Sequence, residues 1–127
     1  MEVVNVKVKY IRKEGYDNLK EWMKDDANEY IGRRGVVIIE KRRYPEKGSI
    51  WGNPFKVGKD GTLEEVLGKY EKYISEKIEK DEDLRCSLMN LKNKRLGCWC
   101  KPNSCHGDVL KRLIEKYDID YNSESGF

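Results

Sequence analysis

One histidine, three prolines and two phenylalanines are all that 127 residues contain of those types, and no apolar run approaches the roughly eighteen residues of a membrane span. The opening stretch MEVVNVKVKY has no apolar centre of the kind a signal peptide carries. A cytoplasmic protein without membrane contact is expected. Twenty-six basic residues against twenty-three acidic ones leave +3, which excludes nucleic-acid binding driven by bulk charge alone. Imidazole chemistry rests on His106 alone. The four cysteines are not expected to form stable disulfides in the cytosol, where the glutathione pool is reducing. In a reducing compartment they act as thiols, metal ligands or catalytic groups.

What is present suits one domain spanning 1–127, since a single core serves chains of about this length. Val4, Val6, Val8 and Tyr10 alternate with polar residues and predict a first strand. Asp17–Asp26 reads as a short helix with Leu19, Trp22 and Met23 on one side. A second β region follows from Tyr30 and Ile31, and the β-branched run Val36–Ile39 suggests a strand covered on both faces near the centre of a sheet. Residues 40–55 form a long loop broken by Pro45, Gly48, Gly52 and Pro54. Thr62–Lys80 is a helix with a Thr62/Glu65 capping box, followed by a helix over Asp81–Leu91. There Cys86 reads as a small buried residue. A strand over Arg95–Cys100 and a helix over Cys105–Tyr117 complete the pattern, with a frayed tail at 121–127. Helices alternating with short strands place the chain in the α/β class, a sheet layered by helices.

The densest chemistry lies in RLGCWCKPNSCHGDVL. On a strand, Cys98 and Cys100 would share one face, and the following loop would deliver Cys105 and His106 to the start of a helix with Ser104 as N-cap. Three chemistries fit that place. Exposed amides from Ser104 to Gly107 would hold a phosphate or carboxylate. Cys105 at a helix N-terminus, beside His106, would be a lowered-pKa nucleophile, with Asp108 orienting a group or capping the helix. Cys98, Cys100, Cys105 and His106 would alternatively supply the ligands of a tetrahedral zinc site, although their spacing matches no standard finger or ribbon.

The loop segment GSIWGNPF brings a hydroxyl (Ser49), glycine (Gly52), an amide (Asn53) and two aromatics (Trp51, Phe55) together. Such a set suits a base or sugar, with Trp51 stacking and Asn53 hydrogen-bonding. It equally suits a structural turn in which Trp51 and Phe55 plug the core and Asn53 caps the backbone. Among the basic residues, Arg33 follows the Tyr30-Ile31-Gly32 strand end most directly.

Two stretches, YIGR at Tyr30–Arg33 with GSIWGNPF, and CWCKPNSCHGDVL at Cys98–Leu110, resemble the uncharacterised family known as domain of unknown function 4326, found in bacteria, phages and large viruses. The resemblance implies that Arg33, Ser49, Trp51, Gly52, Asn53, Pro54 and Phe55 work together with Trp99, Cys100, Pro102, Cys105, His106, Gly107 and Asp108. It implies no reaction. It also marks residues 34–48 as an insertion between the two halves of the first motif, expected to form a hairpin at the site's rim. The CHGD segment is similar to a CHR-ending segment of another α/β family, which suggests a small Rossmann-like fold by analogy.

The expected function is binding of, and action on, a nucleotide or nucleotide-derived ligand at a cleft between a strand end and a helix N-terminus. Any reaction would be a transferase or hydrolase step on that ligand. The alternative is a zinc-stabilised module for nucleic acid or protein, viral in origin and working in the host cytoplasm.

Overall fold

The computed structural model describes residues 2–101 and 103–125, the last seven of these by backbone alone. In chain order the elements are β1 (Glu2–Asn5), α1 (Val8–Ile11), α2 (Leu19–Lys24), β2 (Asn28–Tyr30), β3 (Val37–Ile39), β4 (Arg42–Tyr44), α3 (Leu63–Lys80), α4 (Glu82–Asn90), β5 (Arg95–Cys98) and α5 (His106–Ser125). β1, β5 and β2 form one parallel sheet with β5 in the middle, and the register aligns Val4 and Tyr30 with Gly97. Parallel neighbours require crossovers, and the helices supply them on both faces.

Side chains alternate across that sheet. Leu96 and Cys98 join the core built by α3, α4 and α5, whereas Val4 and Tyr30 pack with Ile11, Leu19 and Trp22 of the opposite layer. Gly97 sits where a Cβ would collide with Trp22, so the bare centre of β5 lets the indole lie against the sheet. This is a small three-layer α/β domain. α3 buries Val66, Tyr70, Ile74 and Ile78 on one stripe, each such side chain contributing roughly 1.5–3 kcal/mol on removal from water. Its start is set by a capping box: Thr62 Oγ1 accepts from Glu65 N at 3.2 Å, and Glu65 Oε1 accepts from Thr62 N at 3.2 Å.

Several expectations are corrected. The first strand ends at Asn5, and Val8 and Tyr10 lie in α1 instead. Asn5 Oδ1 accepts from Lys7 N at 2.9 Å, a local turn that competes with the ladder and ends it. Val36–Ile39 is not central to any sheet. β3 pairs only with β4, and Ile38 is 70% exposed, because the chain reverses at Glu40 and Lys41 (φ 52° and 68°) and finds its partner locally. Cys86 is exposed, since α4 turns Leu84 and Leu88 inward and a residue two positions after Leu84 faces the other way. The strand expected over Arg95–Cys100 stops at Cys98. Helix α5, expected to end at Tyr117, has a backbone that runs on to Ser125, taking in 121–125 of the expected tail, while Pro102 and positions 126–127 lie outside the described residues.

Candidate functional site

The carboxyl ends of β2 and β5 and the start of α5 converge. Ile31 N donates to Gly97 O at 3.0 Å and Val6 N donates to Cys98 O at 2.9 Å, so all three strand ends stay in register past the ladder. Asn5 Nδ2 donates to Lys101 O at 2.6 Å and holds the turn after β5. Helix α5 begins at His106, one residue later than expected, which leaves Cys105 rather than Ser104 as its cap. Cys105 Sγ accepts from Gly107 N at 3.3 Å, and Asp108 Oδ2 accepts from Cys105 N at 3.1 Å. The pattern is a capping box whose cap atom is sulfur.

That arrangement changes the anion reading. The amides of Cys105, Gly107 and Asp108 already have acceptors, and the Asp108 carboxylate itself lies at the positive end of the helix. Asp108 Oδ1 also accepts from Lys101 Nζ at 2.7 Å, a hydrogen bond that raises the Lys101 pKa. Gly107 serves packing: a Cβ there would lie 2.8 Å from Val3 Cγ1 and 3.0 Å from Ile31 Cδ1.

Although Cys100 lies beyond the strand, its sulfur joins those of Cys98 and Cys105, all within 4.8 Å of one another. Hydrogen bonds from Cys105 and Cys98 pull the pKa of the half-exposed Cys100 well down, and the Arg33 charge adds to this. The Cys105 thiol moves the other way, because donating to Cys100 and burial both favour its protonated form. His106 is buried, and Nε2 lies 2.7 Å from Ile31 O; a carbonyl only accepts, so Nε2 carries the proton. Nδ1 faces Cys105 Sγ at 3.7 Å, and burial lowers the pKa of the ring.

Over these sulfurs opens a cavity of about 260 Å³, with Arg33, Phe55, Trp99, Ser104, Cys105 and His106 in its lining. Leu63, Leu67, Val57 and Val36 give it apolar walls, and Val36 leads into the β3–β4 hairpin. A second, open groove of about 580 Å³ adjoins it, sharing Gly32, Arg33 and Asn53 and adding Arg34, Ser49, Gly52, Lys56 and Lys77. Arg33 stands between the two. Its Nη2 donates to Asn53 O at 3.3 Å and Phe55 O at 3.0 Å, which locks the GNPF loop beside the strand end.

The loop residues separate by role. Ser49 Oγ accepts from Trp51 N at 3.0 Å and Asn53 Oδ1 accepts from Phe55 N at 2.9 Å, so both side chains shape turns. Trp51 is 1% exposed, lines neither cavity, and its carbonyl accepts from Tyr70 Oη at 2.7 Å. It offers no face for stacking; Trp99 and Phe55 do. Asn5, Lys56 and Lys77 are site neighbours that sequence reasoning missed, because a charge on a helix and an amide in a strand carry no pattern of their own.

A three-layer α/β domain with thiols gathered at its strand ends is the class this geometry defines. The chain belongs to the family described as Domain of unknown function (DUF4326), whose model matches residues 16–116. It is 37% identical over 71 residues to an uncharacterised 12.4 kDa protein from the nrdA-td intergenic region of Enterobacteria phage T4, covering 55% of this chain and 64% of that protein. It is 42% identical over 83 residues to an uncharacterised protein of Acanthamoeba polyphaga mimivirus, covering 57% of this chain and 60% of that protein. The chain thus spans less than two thirds of either relative. No solved structure matches it. Among the described residues, no helix is long and apolar enough to cross a membrane.

Proposed function

We propose that this domain binds a nucleotide-like ligand across the two adjoining cavities, with the base or nucleoside in the apolar chamber and the phosphate in the basic groove. The observation that carries the reading is the position of Arg33 on the wall common to both. A chamber of about 260 Å³ with aromatic and aliphatic walls suits a flat, weakly polar group, and Trp99 and Phe55 supply ring surfaces. Arg34, Lys56 and Lys77 beside Arg33 favour an anion in the groove. In this reading the phosphate is held by side chains, and the start of α5, capped by Asp108, contributes rigidity instead of free amides.

Calorimetric titration with adenosine 5′-monophosphate, adenosine and inorganic phosphate tests it. The nucleotide should bind more tightly than either fragment, and Arg33→Ala should weaken it by at least about tenfold, as expected for a lost charge-assisted contact of roughly 1.5–3 kcal/mol. Lys77→Ala should weaken it less and flatten its salt dependence. Equal, weak binding of all three probes, unaffected by either substitution, would overturn the proposal.

A further inference from the structure

The sulfurs of Cys98, Cys100 and Cys105 form the floor of the apolar chamber. We infer that they bind one zinc ion as three thiolate ligands, with the fourth coordination position facing the chamber. This stands on the sulfur geometry and does not depend on nucleotide binding.

A tetrahedral zinc with bonds of about 2.3 Å to sulfur needs sulfur pairs roughly 3.8 Å apart. The three sulfurs already lie within 4.8 Å of one another, so closure takes a contraction of about an ångström at most. Two ligands are fixed, Cys98 by the end of the central strand and Cys105 by the cap of α5. The third, Cys100, is exposed in the turn after β5, so its side chain can move toward the other two without displacing the core. Soft thiolates select zinc over the hard divalent cations.

The surroundings suit the bound state. Gly107 N donates to Cys105 Sγ at 3.3 Å, an N–H···S contact that strengthens when sulfur is ionised. Arg33 shares the chamber with the three sulfurs, and Lys101 Nζ, 2.7 Å from Asp108 Oδ1, balances the carboxylate that caps α5. Three thiolates and one dication carry a net charge of −1, which these groups offset. Each thiol yields its proton to solvent as its bond to the metal forms.

His106 stays outside the ligand set. Its ring is anchored by Nε2 on Ile31 O and edge-on to Tyr70 at 5.2 Å; Nδ1 faces Cys105 Sγ at 3.7 Å, but neither nitrogen lies within 4.8 Å of all three sulfurs. The open position therefore faces the chamber, where a water or a donor atom of a bound molecule completes the tetrahedron.

Anaerobic titration of the reduced, metal-free protein with cobalt(II), followed by zinc, reads this out directly. Sulfur-to-cobalt charge-transfer absorption should grow to saturation at one equivalent with the intensity of three thiolates, and zinc should abolish it. Cys100→Ser should lower that intensity by about a third and the affinity by at least about tenfold, the smallest loss that removing even an outer-shell partner of a metal ligand brings. Cys86→Ser, on the exposed face of α4, should leave both unchanged. His106→Gln, whose amide can still reach the Ile31 carbonyl, should keep the cobalt spectrum. Absence of charge-transfer absorption in a folded protein overturns the site, and its loss in the folded His106→Gln variant overturns the open position. Because only metal is added, neither result bears on nucleotide binding.

Discussion

His106 Nε2 sits 2.7 Å from the carbonyl oxygen of Ile31, a contact between residues 75 positions apart that joins the CHGD segment to the YIGR segment inside the protein. Replacing His106 with Ala leaves that buried acceptor without its partner. The expected cost is about 1–3 kcal/mol, before any added cost of the space left behind. Denaturant unfolding should show the midpoint moving down with the slope unchanged, and His106→Gln should recover part of the loss. An unchanged midpoint in the alanine variant would remove the contact from the list of structural ties.

Two glycines on helices should respond with opposite signs. A methyl at Gly107 meets Val3 and Ile31 at 2.8 and 3.0 Å, so Gly107→Ala should destabilise by about 1–3 kcal/mol. Gly68 lies exposed within α3 with nothing near the added carbon, and Gly68→Ala should stabilise by about 0.5–1 kcal/mol. Thermal unfolding of both variants beside the parent decides it; a shift of the same sign in both would contradict the packing described at α5.

The turn of the β3–β4 hairpin places Glu40 and Lys41 in the left-handed region, where a side chain costs about 1–2 kcal/mol per residue. Asn-Gly is the sequence this turn favours. The double substitution Glu40→Asn, Lys41→Gly should raise stability by about 1 kcal/mol and slow amide exchange across the Val37–Tyr44 pair. Faster exchange would mean that the hairpin does not close as described.

Acid should loosen two carboxylate contacts, one half-buried and one exposed. The Tyr16 hydroxyl and the Ala27 amide hold the Asp25 pKa below its ordinary 3.8, and the Thr62 backbone and hydroxyl hold Glu65 below 4.5. A depressed carboxyl contributes stability above its unfolded pKa and loses it as pH falls through the folded value. The thermal midpoint should therefore drop as pH is lowered from 5 to about 3. Asp25→Asn and Glu65→Gln should each make that drop shallower; an identical profile in both variants would show that these contacts carry no linkage.

The amino-acid sequence by itself determined the elements whose partners are close in the chain. α3 was legible from its apolar stripe and from Thr62 and Glu65, since a helix satisfies its backbone within one segment and caps itself within three residues. The α/β class followed from alternation, and the CWCKPNSCH cluster announced chemistry through its residue types. What only the tertiary structure decided depends on contacts between distant residues. Apolar β-branched residues at Val36–Ile39 describe a strand but cannot say whether it finds a sheet or a neighbour, and a turn built from Glu40 and Lys41 has no glycine signal. Trp51 reads from the sequence as either a stacking face or a core plug, and its enclosure by Tyr70 and the α3 core decides for the plug. Cys100 meets Cys98 and Cys105 through a turn rather than a shared strand face, held by Asn5 some 95 positions away. The chamber exists because Arg33 ties one motif to the loop and His106 ties it to the other, and hydrogen bonds across that separation leave no periodicity for a sequence to display.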